Sequence, residues 1–479
     1  MVDAHEVLRE KLEEFPIPAL PGKGVLEFLR IVYSEHEALL LSKFKSFFKF
    51  LTADDFAHEN GLDVTDVKET FHGLAKRSMI RYKHDARGNE LYLIHPFVVG
   101  IFEAFFSSWE KQDPGILVPA ARAAQAYFDD VFYKAVSNST SPWARVIPSI
   151  KGIESLLKEH PGILSTTGPE ISTADHVQKS VDLMKYGTSE IGKKLATGKL
   201  DDALGMLKSD GPIIMNALTT SISSLFSPRQ AAPKKSQAAG TSIGTTQGRI
   251  ISINEAVPAR LMVFPFEVIR SYVDKASDIV VTNCSCREKN RLLSEADAKQ
   301  NGDKPTRCKH PVEGTCMQFL YDGEKAHEYN MWSGRHVTRQ EAMEILEKCE
   351  RSGLVHTTFN SREKIEFICN CCPCCCGILG TLTRHHQKYS AFMQSNFLPK
   401  RIPSRCVQCG SCAARCPIGA ITWSKGESPS FDLDRCIGCG VCVSACNKDA
   451  LTLKKVKGNV PAVDVVDAHV KFANGKLRS

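Results

Sequence analysis

The chain has 479 residues, of which 43% are hydrophobic and 24% charged, enough apolar material for about two to four domains. No apolar run approaches the roughly 18 residues of a membrane helix, and residues 1–15 lack the basic and apolar regions of a secretory signal. The formal net charge of +7 does not by itself indicate nucleic acid as a partner, because it counts every cysteine as neutral.

The first elements predicted are helices over residues 3–14 and 24–50, separated by the breaker Pro21-Gly22-Lys23-Gly24. Thr52 can cap a helix over 53–60. Gly61 then makes a turn, and a second helix begins at Asp63 or Val64 and ends near Lys76. Residues 79–83 and 90–94 alternate as a β-hairpin. Two helices followed by a hairpin is the order of a winged helix.

Residues 99–226 are predicted to be helical, with amphipathic runs at 116–135, 149–158, 172–196 and 200–226. The composition of residues 227–248 shifts to Ser, Gly, Thr, Ala, Gln and Pro, which is typical of a linker. Strands are expected at 249–253, 259–264 and 278–282, and a helix at 265–275. Thr338 and Glu341 form a capping box before a further helix, whose buried stripe is Ala342, Ile345, Leu346 and Cys349.

All 19 cysteines lie between Cys284 and Cys446. A secreted disulfide protein would be small and would spread its cysteines through the fold, and adjacent pairs such as Cys371 and Cys372 have poor geometry for disulfides. We therefore expect a reducing, cytoplasmic location in which the thiolates bind metal. If that metal is an iron–sulfur cluster, each oxidised [4Fe–4S] cluster bound by four thiolates would carry roughly two negative charges. The net charge of the metal-bound protein would then be closer to zero.

Two runs near the C-terminus repeat one spacing, C-x2-C-x2-C-x3-C, beginning at Cys406 and at Cys436. In such a run three cysteines bind one [4Fe–4S] cluster, and the fourth binds the other. We assign one cluster to Cys406, Cys409, Cys412 and Cys446, and the other to Cys436, Cys439, Cys442 and Cys416. Zinc sites use paired CxxC elements instead, so residues 401–457 are predicted to be a two-cluster ferredoxin.

Two details accompany these runs. Gly410, Gly438 and Gly440 let backbone N–H groups approach the cluster sulfides. Matching strands are expected at 420–423 and 450–453. Asn447 occupies the place where the second run usually has proline, which affects only the local stiffness of the loop.

Ten further cysteines precede this module, leaving Cys349 aside: Cys284, Cys286, Cys308, Cys316, Cys369, Cys371, Cys372, Cys374, Cys375 and Cys376. As free thiols they would oxidise readily, so metal binding is the simplest explanation. The first four would complete one [4Fe–4S] cluster, and four of the last six another. An unusual cluster or a structural zinc in one position stays open.

Several residues near these cysteines allow more than one interpretation. Arg287, Lys309 and His310 either stabilise a reduced cluster or an anionic ligand, or are solvated loop charges. Cys349 lies on the apolar stripe of its helix and is predicted to be a core thiol. Trp423 is expected to serve packing rather than electron transfer.

A family resemblance follows from these motifs. Residues 249–453 resemble the multi-cysteine 4Fe-4S dicluster proteins of anaerobic bacteria and archaea, and the winged-helix segment resembles their N-terminal part. The resemblance rests on Cys284-Ser285-Cys286-Arg287, Glu341-Ala342, Gly353-Leu354-Val355-His356, Asn360, the run from Ile368 to Cys376, residues 406–446, residues 95–103 and residues 144–148. It covers about three quarters of the chain, leaves 152–248 as an insertion, and implies redox work in anaerobic metabolism without naming a substrate.

Electron transfer is the function we expect, by a relay subunit that passes electrons between redox partner proteins in a larger complex. One alternative is an oxidoreductase whose upstream cysteine cluster is the reaction centre. Another is a redox sensor that binds DNA, but Asp63, Asp66 and Glu69 oppose the cations of the would-be recognition helix, so nucleic acid is not expected. No glycine-rich nucleotide motif is present, so a net reaction would require another subunit.

The predicted fold is α+β and multidomain. Its parts are a winged-helix-like domain (1–110), a helical region (111–226), a linker (227–248), a cysteine-rich cluster domain (249–400), the ferredoxin domain (401–457) and a C-terminal tail (458–479). The predicted cofactors are two [4Fe–4S] clusters in the ferredoxin domain and one or two further iron–sulfur clusters within 284–376.

Overall fold

The computed structural model describes residues 3–165 except 16, 48, 86, 138, 161 and 162, residues 182 and 185, and residues 262–475 except 307, 324–333 and 388–394. The helices predicted at 172–196 and 200–226 lie almost entirely outside the described residues. The predicted linker at 227–248 and the strand at 249–253 lie wholly outside them.

In chain order, the described helices are α1 Ala4–Glu13, α2 Val25–Val32, α3 Glu35–Ser42, α4 Ala53–Asn60, α5 Val64–Lys76, α6 Phe102–Ser107, α7 Pro114–Tyr127, α8 Tyr133–Ser137, α9 Ile150–Glu159, α10 Ile269–Lys275, α11 Ser285–Asn301, α12 Arg339–Arg351, α13 Gly377–Thr383, α14 Ser411–Arg415, α15 Val441–Ser444 and α16 Val465–Asn474.

The described strands are β1 Arg81–His84, β2 Glu90–Leu93, β3 Ala144–Val146, β4 Asp278–Thr282, β5 Cys316–Leu320, β6 Arg335–His336, β7 Val355–Phe359, β8 Phe367–Cys371, β9 Phe397–Arg401, β10 Ile421–Thr422, β11 Ser430–Phe431 and β12 Leu451–Lys455. The protein therefore has mixed helix and sheet content, as predicted.

The single helix predicted over residues 24–50 is wrong. Tyr33 is extended, and Ser34 caps a new helix by accepting from the N–H of Glu37 while the Glu37 side chain returns to the backbone of Ser34. Serine competes for backbone hydrogen bonds in this way and therefore favours helix starts over helix interiors. The chain thus breaks into α2 and α3, and residues after α3 leave the helix.

The helix-turn-helix and hairpin elements predicted after residue 50 are confirmed. Thr52 caps α4, Asp63 caps α5, and Gly61 between them has a left-handed φ of 64°. β1 and β2 pair antiparallel with Arg81 opposite Leu93. The aromatic rings of this region pack into one core with the helices that follow. Its identity as a winged helix stays a prediction.

The cysteine-rich half is built on an antiparallel sheet which, within the described residues, has six strands in the order β3-β7-β8-β5-β4-β6. β4 was predicted correctly. β3 was not, because it lies in the stretch predicted to be helical; its three residues pair with β7, which is more than 200 residues away in sequence. Tertiary pairing here overrides the local pattern.

One face of this sheet is apolar. Met317 and Ile368 face a core shared with α10 and α12, where Val273 and Leu346 are fully buried. Successive side chains of a strand point to opposite faces. The alternate positions of β5 and β8, Cys316, Cys369 and Cys371, are therefore directed away from that core.

Three shorter predictions in this half are modified. The helix at 265–275 is interrupted at Val268, which separates a 3-10 turn (Pro265–Glu267) from α10. Of the strand at 259–264 the structure describes residues 262–264, where Val263 makes an isolated bridge to Leu164. Thr338 caps α12 as predicted, whereas Glu341 forms an ion pair with Arg335.

The C-terminal region contains two small antiparallel pairs, β10 with β11 and β12 with β9. The strands predicted at 420–423 and 450–453 are confirmed in their central residues. Helix α9, from the predicted insertion, packs on this region, and Ile153 and Leu156 share a core with Leu451 and Leu453.

The predicted C-terminal tail contains a docked helix. Phe472 of α16 is fully buried, and its carbonyl accepts from Ser139 Oγ at 2.7 Å. The N–H of Thr140 donates to the carbonyl of Gly475. The C-terminal end of the described chain is thus held against the segment that precedes β3.

Candidate metal centres

Six cysteines meet on the opposite face of the large sheet, where Cys371 and Cys376 border the core of the N-terminal half. Cys316 of β5 is opposite Cys369 of β8, and Cys371 follows two residues later on the same face. Cys284 and Cys286 stand at the start of α11, and Cys376 caps α13. We call Cys284, Cys286, Cys316, Cys369, Cys371 and Cys376 the six-cysteine group.

The thiols of the six-cysteine group form a continuous series of contacts. Hydrogen-bond contacts between neighbouring sulfurs run in the order Cys284, Cys316, Cys369, Cys371, Cys376 and Cys286. Cys371 Sγ lies 3.4 Å from Cys376 Sγ. Thr357 Oγ1 approaches Cys371 Sγ at 3.1 Å. Cys284 and Cys286, the two ends of this series, also interact with each other at the start of α11, so the contacts close into a ring.

A second set lies beside the first. The sulfurs of Cys308, Cys372, Cys374 and Cys375 all lie within 4.8 Å of one another. Cys308 Sγ is 3.3 Å from Cys374 Sγ and 3.9 Å from Cys372 Sγ. We call these residues the four-cysteine group. Cys372 and Cys375 are buried, whereas Cys374 is exposed.

The structure groups the ten upstream cysteines differently from the predicted division. We expected Cys284, Cys286, Cys308 and Cys316 to share one centre and the run from Cys369 to Cys376 to supply another. The structure instead moves Cys308 to the second set and divides the run between both. In the extended strand Cys369 and Cys371 share a face, whereas the turn after Cys371 directs Cys372, Cys374 and Cys375 elsewhere.

Arg287 lies between the two groups and is only 1% exposed. It donates to the carbonyl of Asn370 at 2.9 Å and to Thr315 Oγ1. Burial disfavours its charge, but the thiols of Cys284, Cys316 and Cys372 outweigh burial and raise the pKa of Arg287. The solvated-charge interpretation is thus wrong for this residue. It holds for Lys309, which is exposed.

Two further titratable side chains near the cysteines, Lys289 and His310, are buried. Burial lowers the pKa of Lys289 to about 8, and its ammonium group lies 5.4 Å from the centre of the Phe128 ring. Burial likewise lowers the pKa of His310, whose backbone N–H donates to the sulfur of Cys308. Sequence reasoning missed Lys289, which stands three residues after Cys286 on the first turn of α11.

A buried polar chain leads from the six-cysteine group towards the C-terminal region. Asn370, between two cysteines of β8, contacts His356 Nδ1 through Oδ1 at 2.6 Å and donates to the carbonyl of Thr315. His356 Nε2 lies 3.5 Å from Glu350, which also accepts from the hydroxyl of Ser444. Sequence reasoning missed Asn370 and Glu350. The one available indication was a polar residue within a buried strand.

Cys349 is buried near the cysteine groups, whereas Trp423 lies at the surface of the C-terminal region. Cys349 is 2% exposed and packs with Leu354, Cys372 and Cys375, and burial raises its pKa to about 12. It is a core thiol, as predicted. Trp423 is 38% exposed and its ring covers Gly410.

The eight C-terminal cysteines lie in two sets. Cys416 interacts electrostatically with Cys436, Cys439 and Cys442, and these four line one cavity. Cys446 interacts with Cys412, as does Cys409. Cys416 is thus near the first three cysteines of the second run, and Cys446 is near the third cysteine of the first run. This is the arrangement on which the crossed ligand assignment depends, although the ligands themselves stay predictions.

Backbone donors repeat in the two halves. The N–H of Ala420 donates to Cys416 Sγ at 3.2 Å, and that of Ala450 donates to Cys446 Sγ at 3.3 Å. Each donor follows its cysteine by four residues. Hydrogen bonds to the thiolate form favour it and tune the potential of a bound cluster.

Segments outside the two runs support the second loop. Ser149 donates from its hydroxyl to the carbonyl of Gly440, and its N–H donates to the carbonyl of Cys439. A Cβ atom at Gly438 would collide with the carbonyl oxygen of Phe397, and one at Gly440 would collide with Ser149 Oγ. Close backbone approach therefore explains these glycines, both of which have positive φ.

Comparison with known protein families addresses this region directly. Residues 405–450 match the model of the 4Fe-4S dicluster domain. No curated protein and no solved structure matches the chain. The dicluster domain carries iron–sulfur clusters, so this part of the protein is an iron–sulfur, metal-binding module of the kind used for electron transfer. In the part of the chain that the structure describes, no helix is long and apolar enough to cross a membrane.

The residues present fit the implied clusters. Thiolates are the ligands of iron–sulfur clusters, and both sets of the dicluster domain consist of thiols with backbone donors directed at them. The six-cysteine group offers the same chemistry with a buried cation beside it. Arg287 Nε has no hydrogen-bond partner among the described residues. Such a buried donor would be satisfied by a bound anionic group.

Proposed function

We propose that the protein transfers electrons through the dicluster domain and a further iron–sulfur cluster bound by the six-cysteine group. Bound clusters would supply one-electron redox chemistry. The chain's own residues would hold them, exclude water from them and set their potentials. The exposed residues Val407 and Trp423, near the exposed Cys409, would form the contact surface for a small redox partner.

The observation that carries this proposal is the direct junction between the dicluster domain and the cysteine-rich sheet. Glu350 of α12 accepts from Ser444, two residues before Cys446, and lies beside His356, which in turn contacts Asn370. Arg415 of the dicluster domain donates to the carbonyl of Arg351. A junction of this kind suits a relay between fixed centres better than a freely diffusing carrier.

A reductive titration of the anaerobically reconstituted full chain tests the proposal. The dicluster domain accounts for about two electrons per chain, one for each cluster. We expect at least one more electron, and we expect Cys371→Ser to remove that additional uptake while the electron paramagnetic resonance of the dicluster domain persists. Uptake of two electrons by both proteins would restrict electron transfer to the dicluster domain and overturn the relay.

Partners of the relay are part of the same proposal. We propose redox proteins on both sides, in a larger complex and in anaerobic metabolism, as the family resemblance implies. Anaerobic affinity purification of the full chain tests this: recovery of flavin, haem or iron–sulfur proteins in stoichiometric amounts is expected. Recovery of the chain alone would favour a free carrier.

A second candidate function comes from a large open cavity. It has a volume of about 1570 Å³ and is lined by Cys308, Cys374 and Cys375 together with Arg291 and Arg335. Typical small-molecule sites have roughly 300–1,000 Å³, so a substrate would fit. An oxidoreductase acting on a small polar compound would use this space, which carboxylates and cations line together. Oxidation of the dithionite-reduced chain by such a substrate, abolished in Cys374→Ser, would support it, and fully ligated cubanes alone would refute it.

A further inference from the structure

The spacing of the sulfur atoms separates the four-cysteine group from the other cysteines. All four sulfurs lie within 4.8 Å of one another, and two of the distances are 3.3 and 3.9 Å. In a tetrahedral site with metal–sulfur bonds of about 2.3 Å, neighbouring sulfurs are about 3.8 Å apart. The group therefore has the dimensions of a single-ion site.

These dimensions do not suit a polynuclear cluster. In a [4Fe–4S] cluster each thiolate binds a different iron atom and projects outward from its own corner of the cube. In a [2Fe–2S] cluster two thiolates bind each of two irons. In both cases at least some thiolate pairs stand further apart than ligands that share one ion, whereas here every pair is close.

The other cysteine groups that the structure describes do not have this close spacing of sulfur atoms. Among the described residues, the four-cysteine group is the one set of three or more potential ligand atoms within 4.8 Å of one another. The thiols of the dicluster domain, which belongs to a family that binds cubanes, do not meet this condition. Within the part of the chain that the structure describes, no three sulfurs of the six-cysteine group meet it either. The tight spacing is therefore specific to one site.

The loops that carry the group are held in place by other residues. Arg384 donates to the carbonyls of Pro373, Cys374 and Cys376, which fixes the turn between the ligands. The backbone N–H of His310 donates to the sulfur of Cys308. Asn290 reaches the carbonyls of Cys286 and Cys375. Preorganisation by surrounding donors is typical of metal sites.

We propose that Cys308, Cys372, Cys374 and Cys375 bind one tetrahedral thiophilic ion, either zinc or a single iron, separate from any iron–sulfur cluster. With four protein ligands the site is closed, which is the form of structural metal sites. The ion would join the loop at Cys308 to the turn after β8. Arg287 lies between this site and the six-cysteine group and interacts with thiols of both.

Ligand substitution tests the proposal on the full chain purified without oxygen. Cys308→Ser and Cys374→Ser each remove one ligand, and Cys374 is exposed, so serine there is tolerated by the fold. We expect each variant to lose about one metal ion per chain and no acid-labile sulfide. Cys349→Ser, a buried thiol that packs against the same group, is the matched control and should lose nothing.

Two results would overturn the proposal. Loss of about four iron atoms together with four sulfides would show a cubane at this site. Retention of all metal by the double variant Cys308→Ser/Cys374→Ser would show that no ion is bound there. The electron paramagnetic resonance spectrum of the reduced dicluster domain serves as the check that each variant folds. Its absence in wild type would contradict the electron-transfer proposal and not the single-ion site.

X-ray absorption of the unmodified protein provides an independent measurement. If the ion is zinc, its edge should report four sulfur neighbours at about 2.3 Å and no neighbouring metal. If zinc is absent, the Mössbauer difference between wild type and Cys374→Ser should show one tetrathiolate iron. A metal–metal distance at the zinc edge, or a difference spectrum of coupled irons, would contradict the single-ion site.

Discussion

Arg287 shows at the residue scale how a buried charge is made compatible with a protein interior. An unpaired guanidinium there would be costly, and its hydrogen bonds to Asn370 and Thr315 satisfy only part of it. The neighbouring thiols supply the remaining stabilisation. A cation placed in this way also favours any reduced, more negative state of what the thiols bind.

We expect Arg287→Met to lower the reduction potential of the cluster in the six-cysteine group by on the order of 50 mV, equivalent to about 1 kcal/mol for one electron. Potentiometric titration of the full chain measures this. Arg291→Met is the control, because Arg291 is on the same helix but pairs with Glu288 and Glu295. Equal shifts in the two variants would contradict a specific role for Arg287.

His95 has an effect on stability that depends on pH. It is 1% exposed, and burial and Arg81 lower its pKa to about 3. The unfolded chain therefore binds a proton below pH of about 6.5 while the folded chain does not. The contribution of His95 to the free energy of unfolding is therefore fully present above that pH. It is lost, by about 1.4 kcal/mol per pH unit, as the pH falls towards 3.

Hydrogen exchange of peptides from α5 and β1, corrected for intrinsic rates, measures this dependence. We expect the opening free energy of wild type to fall between pH 7 and 5.5, and that of His95→Asn to stay level. Parallel curves for the two proteins would show that His95 is protonated or exposed in the folded state.

At the scale of elements, α12 connects the two halves of the metal region. Burial alone would raise the pKa of Glu350, but the neighbouring His356 and hydrogen bonds from Ser444 and from the N–H of Ile150 outweigh it and lower the pKa overall. The carboxylate is therefore charged and binds the first turn of α9 and the last residue of α15. One side chain joins three helices.

Glu350→Gln should weaken this junction by about 2–3 kcal/mol, because it removes a charged acceptor and presents an amide donor to backbone donors. Faster hydrogen exchange is expected in residues 149–153 and 441–446. Glu347→Gln, one turn earlier on the same helix and paired with Arg351 near the surface, should leave exchange in both segments unchanged. Unaltered exchange in Glu350→Gln would refute the junction.

The second cysteine loop of the dicluster domain, at Gly438, depends on close packing of its backbone against a neighbouring segment. Gly438→Ala adds a strained positive φ and a collision with Phe397, and we expect it to lose cluster iron and about 1–3 kcal/mol of stability. Gly426→Ala carries the same φ strain with open space around it. Iron and sulfide content decides: equal losses in the two variants would show that the collision is unimportant.

At the scale of the whole molecule, the chain returns to its own N-terminal half. α16 docks beside β3, and β3 in turn forms the edge of the sheet that carries the cysteines. α9, directly after β3, supports the dicluster domain. Segments distant in sequence therefore contribute to one continuous metal region.

Phe472→Ala tests the docking of α16 against the segment that precedes β3. Emptying a fully buried aromatic site costs about 3–5 kcal/mol, and we expect the loss as faster exchange in α16 and in residues 139–143. Val460→Ala, at a position that is 46% exposed, should change neither segment. Protection of α16 that survives in Phe472→Ala would mean that the helix is held by other contacts.

Much of the local structure was predictable from the sequence. The caps at Thr52 and Thr338 depend on interactions within a few residues, and both were identified, whereas the helix that Asp63 caps was predicted to begin at Asp63 or Val64. The break at Ser34 was missed because an apolar helical pattern continues across it. β3 was missed because a three-residue strand has no pattern of its own, and its partner lies in a remote part of the chain.

The sequence by itself determined the dicluster domain, since eight cysteines at short fixed spacings specify their neighbours locally, and the family match covers the same residues. Only the tertiary structure decided which upstream thiols belong together. Cys308 is 64 residues from Cys372, and adjacent cysteines in the run from Cys369 to Cys376 point to different groups. The pleat of β8, the turn after it and the packing of α11 set those directions, and spacing along the chain does not encode them.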